Sequence, residues 1–437
     1  MIIKNYAELS LTPQRKILLD ILNYGLECLD YSKEIAKLIN EGRIKTPNRE
    51  YFLKNFDRIF LLGFGKGSSY IGKEIFNYLL NYPNFKKCFL IDLKYDDLIL
   101  PQEEKLTFFE GTHPFVSQNN IQATKEIINY FSKEKLTEND LVIVIICGGG
   151  SAMFTLPAKI DFQKKVEITK KLFYLGADIF EINTVRKHLS LVKGGGLAKI
   201  LFPSYVLSLI VSDVPGDKLE FIASGPTSFD KTTIDDAFFI CQKYGLNLTK
   251  DKLIETPKDD RYFVKVENYI FLSNQKILKL MEEFALKQNI KAKIIKTDIN
   301  LPTQVFVDNL KNDLNEDIEL YLYGGETTVE IKKPGKGGRN QDLVLRFLKK
   351  LQENYFDQNL TILAFNSDGW DNTEFGGAIG DKFTIEKAKN LNLDINFALE
   401  ENQSFDFFQK TKDGILTGRL PLNVSDFILI FKSKTMV

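Results

Sequence analysis

Apolar residues in this chain fall into short continuous runs, separated by longer stretches where they recur every three or four positions. The runs at 58–62, 89–93, 141–146 and 205–211 predict strands buried on both faces. The stretches at 68–80, 119–131 and 162–175 carry the helical period, and 184–200 predicts a loop opening into a helix. The rhythm restarts after a charged segment, 243–265. Strands are expected there at 269–272, 292–295, 320–323, 360–365 and 427–431, with helices near 275–287, 301–314 and 340–352. Strand–helix alternation predicts an α/β fold with mainly parallel sheets covered by helices on both faces.

At 437 residues the chain exceeds what one hydrophobic core normally serves, so two α/β/α domains are expected. The charged segment places their boundary at 245/246, giving domains 1–245 and 246–437. The helical stretch before residue 50 fits either domain. Its first strong helix start is Thr12-Pro13, an N-cap hydroxyl followed by proline at the first helical position.

The 58 basic and 58 acidic residues cancel, which argues against a nucleic-acid surface. Four cysteines without a C-x-x-C pair indicate neither a zinc site nor a disulfide framework. No secretory pattern and no apolar run of about 20 residues stand in the chain, so a cytoplasmic protein without membrane association is expected. A homodimer stays open.

The chemistry concentrates in residues 176–230. Glu181-Ile-Asn-Thr-Val-Arg-Lys-His188 is followed by Lys193-Gly-Gly-Gly196, Ser212-Asp-Val-Pro-Gly-Asp217 and Ala223-Ser-Gly-Pro-Thr227. Cations, hydroxyls and carboxylates crowd around one apolar strand here. Asn183, Thr184, Arg186, Lys187 and His188 form a candidate small-anion site. Asp213 and Asp217 lie just past the strand, where open α/β sheets place ligands.

Two glycine turns add bare backbone. Gly63-Phe-Gly-Lys66-Gly-Ser-Ser69 joins a strand to a helix, and Gly148-Gly-Gly-Ser151 follows the most apolar strand. Both suit close approach to a phosphate, although the first matches neither standard nucleotide loop. A plain glycine turn is the competing reading of each. Of the two histidines, His113 reads as a loop corner, while for His188 a structural place and an anion-site role are equally open. Farther on, Glu326 and Arg339 sit at two loop ends, and Asp368 and Asp371 end another strand. That combination suits metal-assisted phosphoryl transfer, though Asp-Gly also marks ordinary turns.

These blocks, in this order, together with Asn423-Val-Ser-Asp426, resemble the bacterial glycerate 2-kinases of the MOFRL type over nearly the whole chain. The resemblance implies a Rossmann-like N-terminal domain, a MOFRL-containing C-terminal domain and an active site in the cleft between them. It implies ATP-dependent, Mg²⁺-assisted phosphorylation of D-glycerate at the 2-hydroxyl to give 2-phosphoglycerate. Lys66, Asp213 and Arg339 are then catalytic candidates, and Ser151, Arg186 and Lys187 substrate-binding ones. Gly63, Gly65, Ser68, Gly148, Gly149 and Gly150 would hold nucleotide phosphates, and Glu326 and Asp368 the metal. Asp213 is read either as the base for the 2-hydroxyl or as a metal ligand. Lys66, Ser151 and Asp213 are expected on one domain, facing Glu326, Arg339 and Asp368 on the other.

The chain departs from the family pattern at Val116-Ser117, at Trp370 and at Arg419-Leu-Pro-Leu422, loops suited to touching nucleotide or acceptor. Two rival readings are an NAD(P)H-dependent hydroxypyruvate reductase, suggested by the Gly63 turn and Asp92, and a non-catalytic sugar-acid-binding protein. The missing third glycine weighs against the first. The second leaves Asp213, Glu326 and Asp368 without a purpose.

Overall fold

A computed structural model describes residues 1–314, 317–357 and 359–433. The chain divides into two compact units. One comprises Tyr31–Ser212 and Lys218–Phe271; the other takes Met1–Asp30, Asp213–Asp217 and Leu272 onward. Among the described residues no helix is long and apolar enough to cross a membrane.

The first unit is built on a six-stranded sheet. Its order is Leu106–Glu110, Phe85–Asp92, Arg58–Phe64, Asp140–Ile146, Tyr205–Ser212 and Val266–Ser273. The first five strands pair in parallel. Asp140–Ile146 is buried throughout, which explains its unbroken apolar run. Helices Ser68–Leu79, Gln118–Glu134 and Phe162–Tyr174 lie close to their expected spans. Strand Val266–Ser273 completes this sheet, so the first unit runs on to 271 instead of ending at the charged segment.

Residues 184–188, expected as loop, instead end a helix, while the loop after them does open into helix Gly196–Leu201. Helix Ile179–His188 forms because Asp178 caps the Glu181 amide while the Glu181 side chain reaches back to the Asp178 amide. The period is obscured because four buried residues of this helix, Asn183, Thr184, Lys187 and His188, are polar. A small antiparallel sheet, Ile39–Asn40, Arg43–Lys45 and Glu50–Phe52, had no clear sequence signal.

In the second unit the sheet is mixed. Its order is Ala292–Ile299, Leu320–Gly325, Asp426–Lys432, Leu360–Asn366, Gly377–Gly380 and Gly414–Ile415. The first pair is parallel, but Asp426–Lys432 inserts antiparallel between Leu320–Gly325 and Leu360–Asn366. Direction of pairing depends on how the chain returns, which alternation alone does not encode. The N-terminal helix Pro13–Cys28 also belongs here, with Thr12 accepting the Arg15 amide as N-cap. It packs on helix Asn274–Lys287, where Gly25 leaves room for Met281 and Tyr24 stacks on Phe284 at 4.2 Å.

Candidate active site

In the first unit the two glycine turns are stitched together at one end of the parallel sheet. The Lys66 amide donates to the Gly148 carbonyl at 2.8 Å, and the Cys147 amide donates to the Phe64 carbonyl at 3.0 Å. Gly65 has φ +103°, and a Cβ there would lie 2.4 Å from the Cys147 carbonyl oxygen. Only glycine tolerates that approach. The Gly63–Ser69 amides are already engaged within the protein. Gly65 donates to the Ile91 carbonyl, Ser68 to Gly65, and Gly67 and Ser69 to the buried Asp92 carboxylate. Asp92 thus caps helix Ser68–Leu79 from beneath, where burial pushes its carboxyl up to about 6 despite four hydrogen bonds. This position removes Asp92 as the ribose ligand of a dinucleotide site. It also leaves the Lys66 side chain as a free functional group of the first turn, since its ammonium has no partner among the described residues. In the second turn, the Gly148 and Gly149 amides have no acceptor among the described hydrogen bonds.

Beside these turns lies a cavity of about 340 Å³. Gly149, Ser151 and Arg186 line it, joined by His113, Lys165 and Lys193. Lys165 and Lys193 are only 6% and 2% exposed. Lys165 Nζ donates to Thr155 Oγ1 at 2.7 Å, and Lys193 Nζ donates to the carbonyls of Phe154 and Ala223 at 3.2 and 3.3 Å. Arg186 stands over the Phe173 ring at 5.5 Å. None of the three cations forms an ion pair among the described residues. Desolvation, with the charge of Arg186, pushes Lys165 down to about 7. Lys193 is lowered well below the usual lysine range by burial and by both neighbouring cations. Desolvation lowers Arg186 as well. His113 is pushed down to about 4 by desolvation and the Lys66 charge, so its imidazole is neutral near pH 7.

Ser151 belongs to a relay. Ser224 donates to Asn183 Oδ1 at 2.9 Å and lies 3.1 Å from Ser151 Oγ. With the Ser224 proton committed, Ser151 donates to Ser224 and offers lone pairs to the cavity. Ala223 and Ser224 hold φ of 49° and 62° to aim these groups. Left-handed backbone outside glycine costs roughly 1 kcal/mol or more per residue.

Lys187, also expected at the anion site, does not line the cavity. Its ammonium is buried 3.2 Å from Asp230 Oδ1. His188 is likewise absorbed: Nδ1 lies 2.8 Å from the Thr184 carbonyl and Nε2 3.3 Å from Glu255. The missed residues were Lys165 and Lys193. Lys165 had a signal, because it shares one helical stripe with buried Ile168 and Leu172.

The second unit gathers the remaining candidates at one end of its sheet. Gly325 and Asn366 both register with Asp426, so Glu326 and Asp368 emerge on either side of it. Two strand spacings put the flanking backbones about 10 Å apart. Arg339 makes a bidentate pair with Asp426 and a further ion pair with Glu326. Burial pushes Asp426 up to about 7, opposed by the Arg339 charge. Asp371 accepts both the Asn340 and Gln341 amides and so caps the helix carrying Arg339. Asp368 accepts from the Trp370 amide and from Asn423. The Ser425 hydroxyl donates to the Asp213 carbonyl at 2.7 Å. Asp213 therefore belongs to the unit that carries Glu326, Arg339 and Asp368, whereas the sequence placed it on the same domain as Lys66 and Ser151. The sequence motif that holds it is interrupted: Ser212 ends a strand of one unit and Asp213 begins the other's segment.

Among the described residues no group of three or more His, Cys, Asp or Glu is arranged to hold a metal ion. Glu326 and Asp368 fit the smaller demand of Mg²⁺, which commonly takes one or two carboxylates and completes its shell with substrate phosphates and water.

Residues 17–256 match the family described as a domain of unknown function (DUF4147), and residues 319–426 match the MOFRL family. The chain is 34% identical to the glycerate 2-kinase of Picrophilus torridus, with 98% of each chain covered. It is 32% identical to the D-glycerate 2-kinase of Thermotoga maritima over 86% of this chain and 91% of that one. A crystal structure of glycerate kinase from Thermotoga maritima superposes with a TM-score of 0.81 at 30% identity, covering 96% of this chain and 99% of the other. A Pyrococcus horikoshii protein gives a TM-score of 0.78 at 28% identity, covering 96% and 99%. With 34% identity to a glycerate 2-kinase across 98% of both chains and a fold shared with a solved glycerate kinase, the chain belongs to the glycerate 2-kinase family.

Proposed function

We propose that the protein transfers the γ-phosphoryl group of ATP to the 2-hydroxyl of D-glycerate, giving 2-phosphoglycerate and ADP. The observation that carries this reading is the end-to-end similarity to glycerate 2-kinases, over 98% of both chains in one case. The site chemistry supports it. The transfer forms a bond from the 2-oxygen to phosphorus and breaks the bond to the ADP oxygen, with the hydroxyl proton passing to a base. Such chemistry depends on positioning and charge neutralisation.

Lys66 is the candidate of the first unit for neutralising phosphoryl charge, and Arg339, held by Asp426 and Glu326, is the candidate of the second. Arg186 attracts the glycerate carboxylate, while Ser151 accepts a hydrogen bond from a substrate hydroxyl. Gly148 and Gly149 offer amides to phosphate oxygens. Asp213 is the candidate base, and Glu326 and Asp368 the candidate Mg²⁺ ligands. Bound Mg²⁺ would supply charge neutralisation for the nucleotide phosphates.

The test incubates the protein with D-glycerate, ATP and Mg²⁺, and separately with NADH and hydroxypyruvate. Phosphorus NMR should identify 2-phosphoglycerate, and EDTA should abolish its formation. Appearance of 3-phosphoglycerate, or oxidation of NADH in place of transfer, would overturn the assignment.

A further inference from the structure

The cavity of the first unit holds more cationic charge than its protein environment balances. Lys165, Arg186 and Lys193 all line it, and no aspartate or glutamate does. Burying like charges without a counter-ion is costly, which is why burial depresses all three groups, and an anion in the cavity would relieve that cost. The protein leaves donors unused for that anion. A lysine ammonium has three N–H donors and a guanidinium five. Thr155 takes one from Lys165, two carbonyls take two from Lys193, and Arg186 has no acceptor among the described hydrogen bonds.

We propose that Lys165, Arg186 and Lys193 form a preformed carboxylate site that holds the acceptor's carboxylate. The proposal rests on the kinase reading and deepens it by naming the specificity-determining cations. Lys165 supplies the second charge that the sequence pattern attributed to Lys187, whose own ammonium is spent on Asp230. The nucleotide is a poorer occupant. Its phosphates travel with Mg²⁺, and the cavity lining has no carboxylate to help hold that ion. A hydroxy acid instead matches the cations and the Ser151 hydroxyl that line the same cavity.

Charge coupling provides a readout that mere packing would not. The other titratable groups lining the cavity are His113 and Lys170, so nothing acidic within it keeps Lys165 protonated. A bound carboxylate raises its proton affinity, and glycerate binding at pH 8 should therefore take up protons.

Titration calorimetry on the full-length, nucleotide-free protein tests this, using D-glycerate in two buffers of different ionisation enthalpy. Lys165→Met and Lys193→Met should each weaken glycerate binding at least tenfold and leave Mg-ADP binding unchanged. Lys164→Met, a change beside Lys165 at a residue paired with Glu167 in solvent, should alter neither. Proton uptake should appear in the unmodified protein and shrink in Lys165→Met. Undiminished glycerate affinity in Lys165→Met, absent proton uptake in the unmodified protein, or loss of Mg-ADP binding in place of glycerate binding overturns the proposal. Turnover of glycerate by the unmodified protein separates the two readings. If turnover persists while any of those outcomes is seen, the carboxylate site alone fails. If the unmodified protein neither binds nor phosphorylates glycerate, the kinase reading fails and this proposal with it.

Discussion

Arg339 donates from Nε and Nη2 to the two carboxylate oxygens of Asp426, at 2.6 and 2.9 Å. Asp426 is wholly buried and opens a strand between two others, so the pair fixes the arginine against the sheet end. A lysine cannot reproduce that bidentate geometry. Arg339→Lys should lower turnover roughly a hundredfold or more, the scale of losing one preorganised charge-stabilising group. Arg339→Met should also destabilise the fold in a pH-dependent way. Burial already raises the Asp426 carboxyl, and losing the guanidinium raises it further. The folded state then binds a proton that the unfolded state releases, so stability falls as pH rises toward and through the raised value. Urea unfolding should show a larger deficit at pH 8 than at pH 5. An equal deficit at both would mean that Asp426 is not left unpaired.

Lys66→Ala should reduce turnover about a hundredfold or more with little change in the urea midpoint. The ammonium makes no ion pair among the described residues, and the turn is held by backbone bonds that alanine retains. Near-normal turnover in the folded variant would return Lys66 to a solvated side chain.

Trp370 is the chain's single tryptophan, and its amide donates to Asp368 while Arg419 covers its ring at 4.1 Å. Its fluorescence should report nucleotide arriving at the second unit. Mg-ADP should change the emission, and Asp368→Asn should weaken that response. A spectrum insensitive to saturating Mg-ADP would remove Asp368 from the nucleotide site.

Lys165 provides a stability test with a defined sign. Its folded-state value, pushed down to about 7, lies below the unfolded value of about 10.4. Between these values the unfolded chain binds the extra proton, so this group's contribution to stability rises with pH through that window. Relative to Lys165→Met, the unmodified protein should gain in thermal midpoint between pH 7 and pH 9. Glycerate should flatten the trend. A constant difference would indicate a lysine that stays protonated throughout.

Arg15 is fully buried and pairs with both Asp381 and Asp413, tying the N-terminal helix to the second unit's core. Arg15→Met should cost about 3–5 kcal/mol in urea unfolding, since it strands two buried carboxylates of which only Asp413 retains Lys387. A loss under 1 kcal/mol would show that the carboxylates relax into other partners.

The strands at 58–64 and 140–146 were legible because strands buried on both faces need unbroken apolar runs. The glycines at 65 and 149 stood out because few other residues tolerate their backbone and close contacts. The Arg15 clamp was invisible, since a lone arginine in an amphipathic helix carries no mark of carboxylates more than 360 residues away.

From the sequence by itself came the alternating α/β pattern, the glycine turns and the stretches in which the cations and carboxylates lie. These are local properties, set by backbone freedom, periodicity and residue type. Only the tertiary structure decided which charges were already satisfied. It committed Lys187 to Asp230, placed Asp92 beneath the first turn, and left Lys165 and Lys193 without a carboxylate. It also assigned Asp213 to the compact unit that carries Arg339. A periodic pattern records that a side chain is buried. Its partner is set by long-range packing, and the partner determines whether a buried charge is structural or available to bind a ligand.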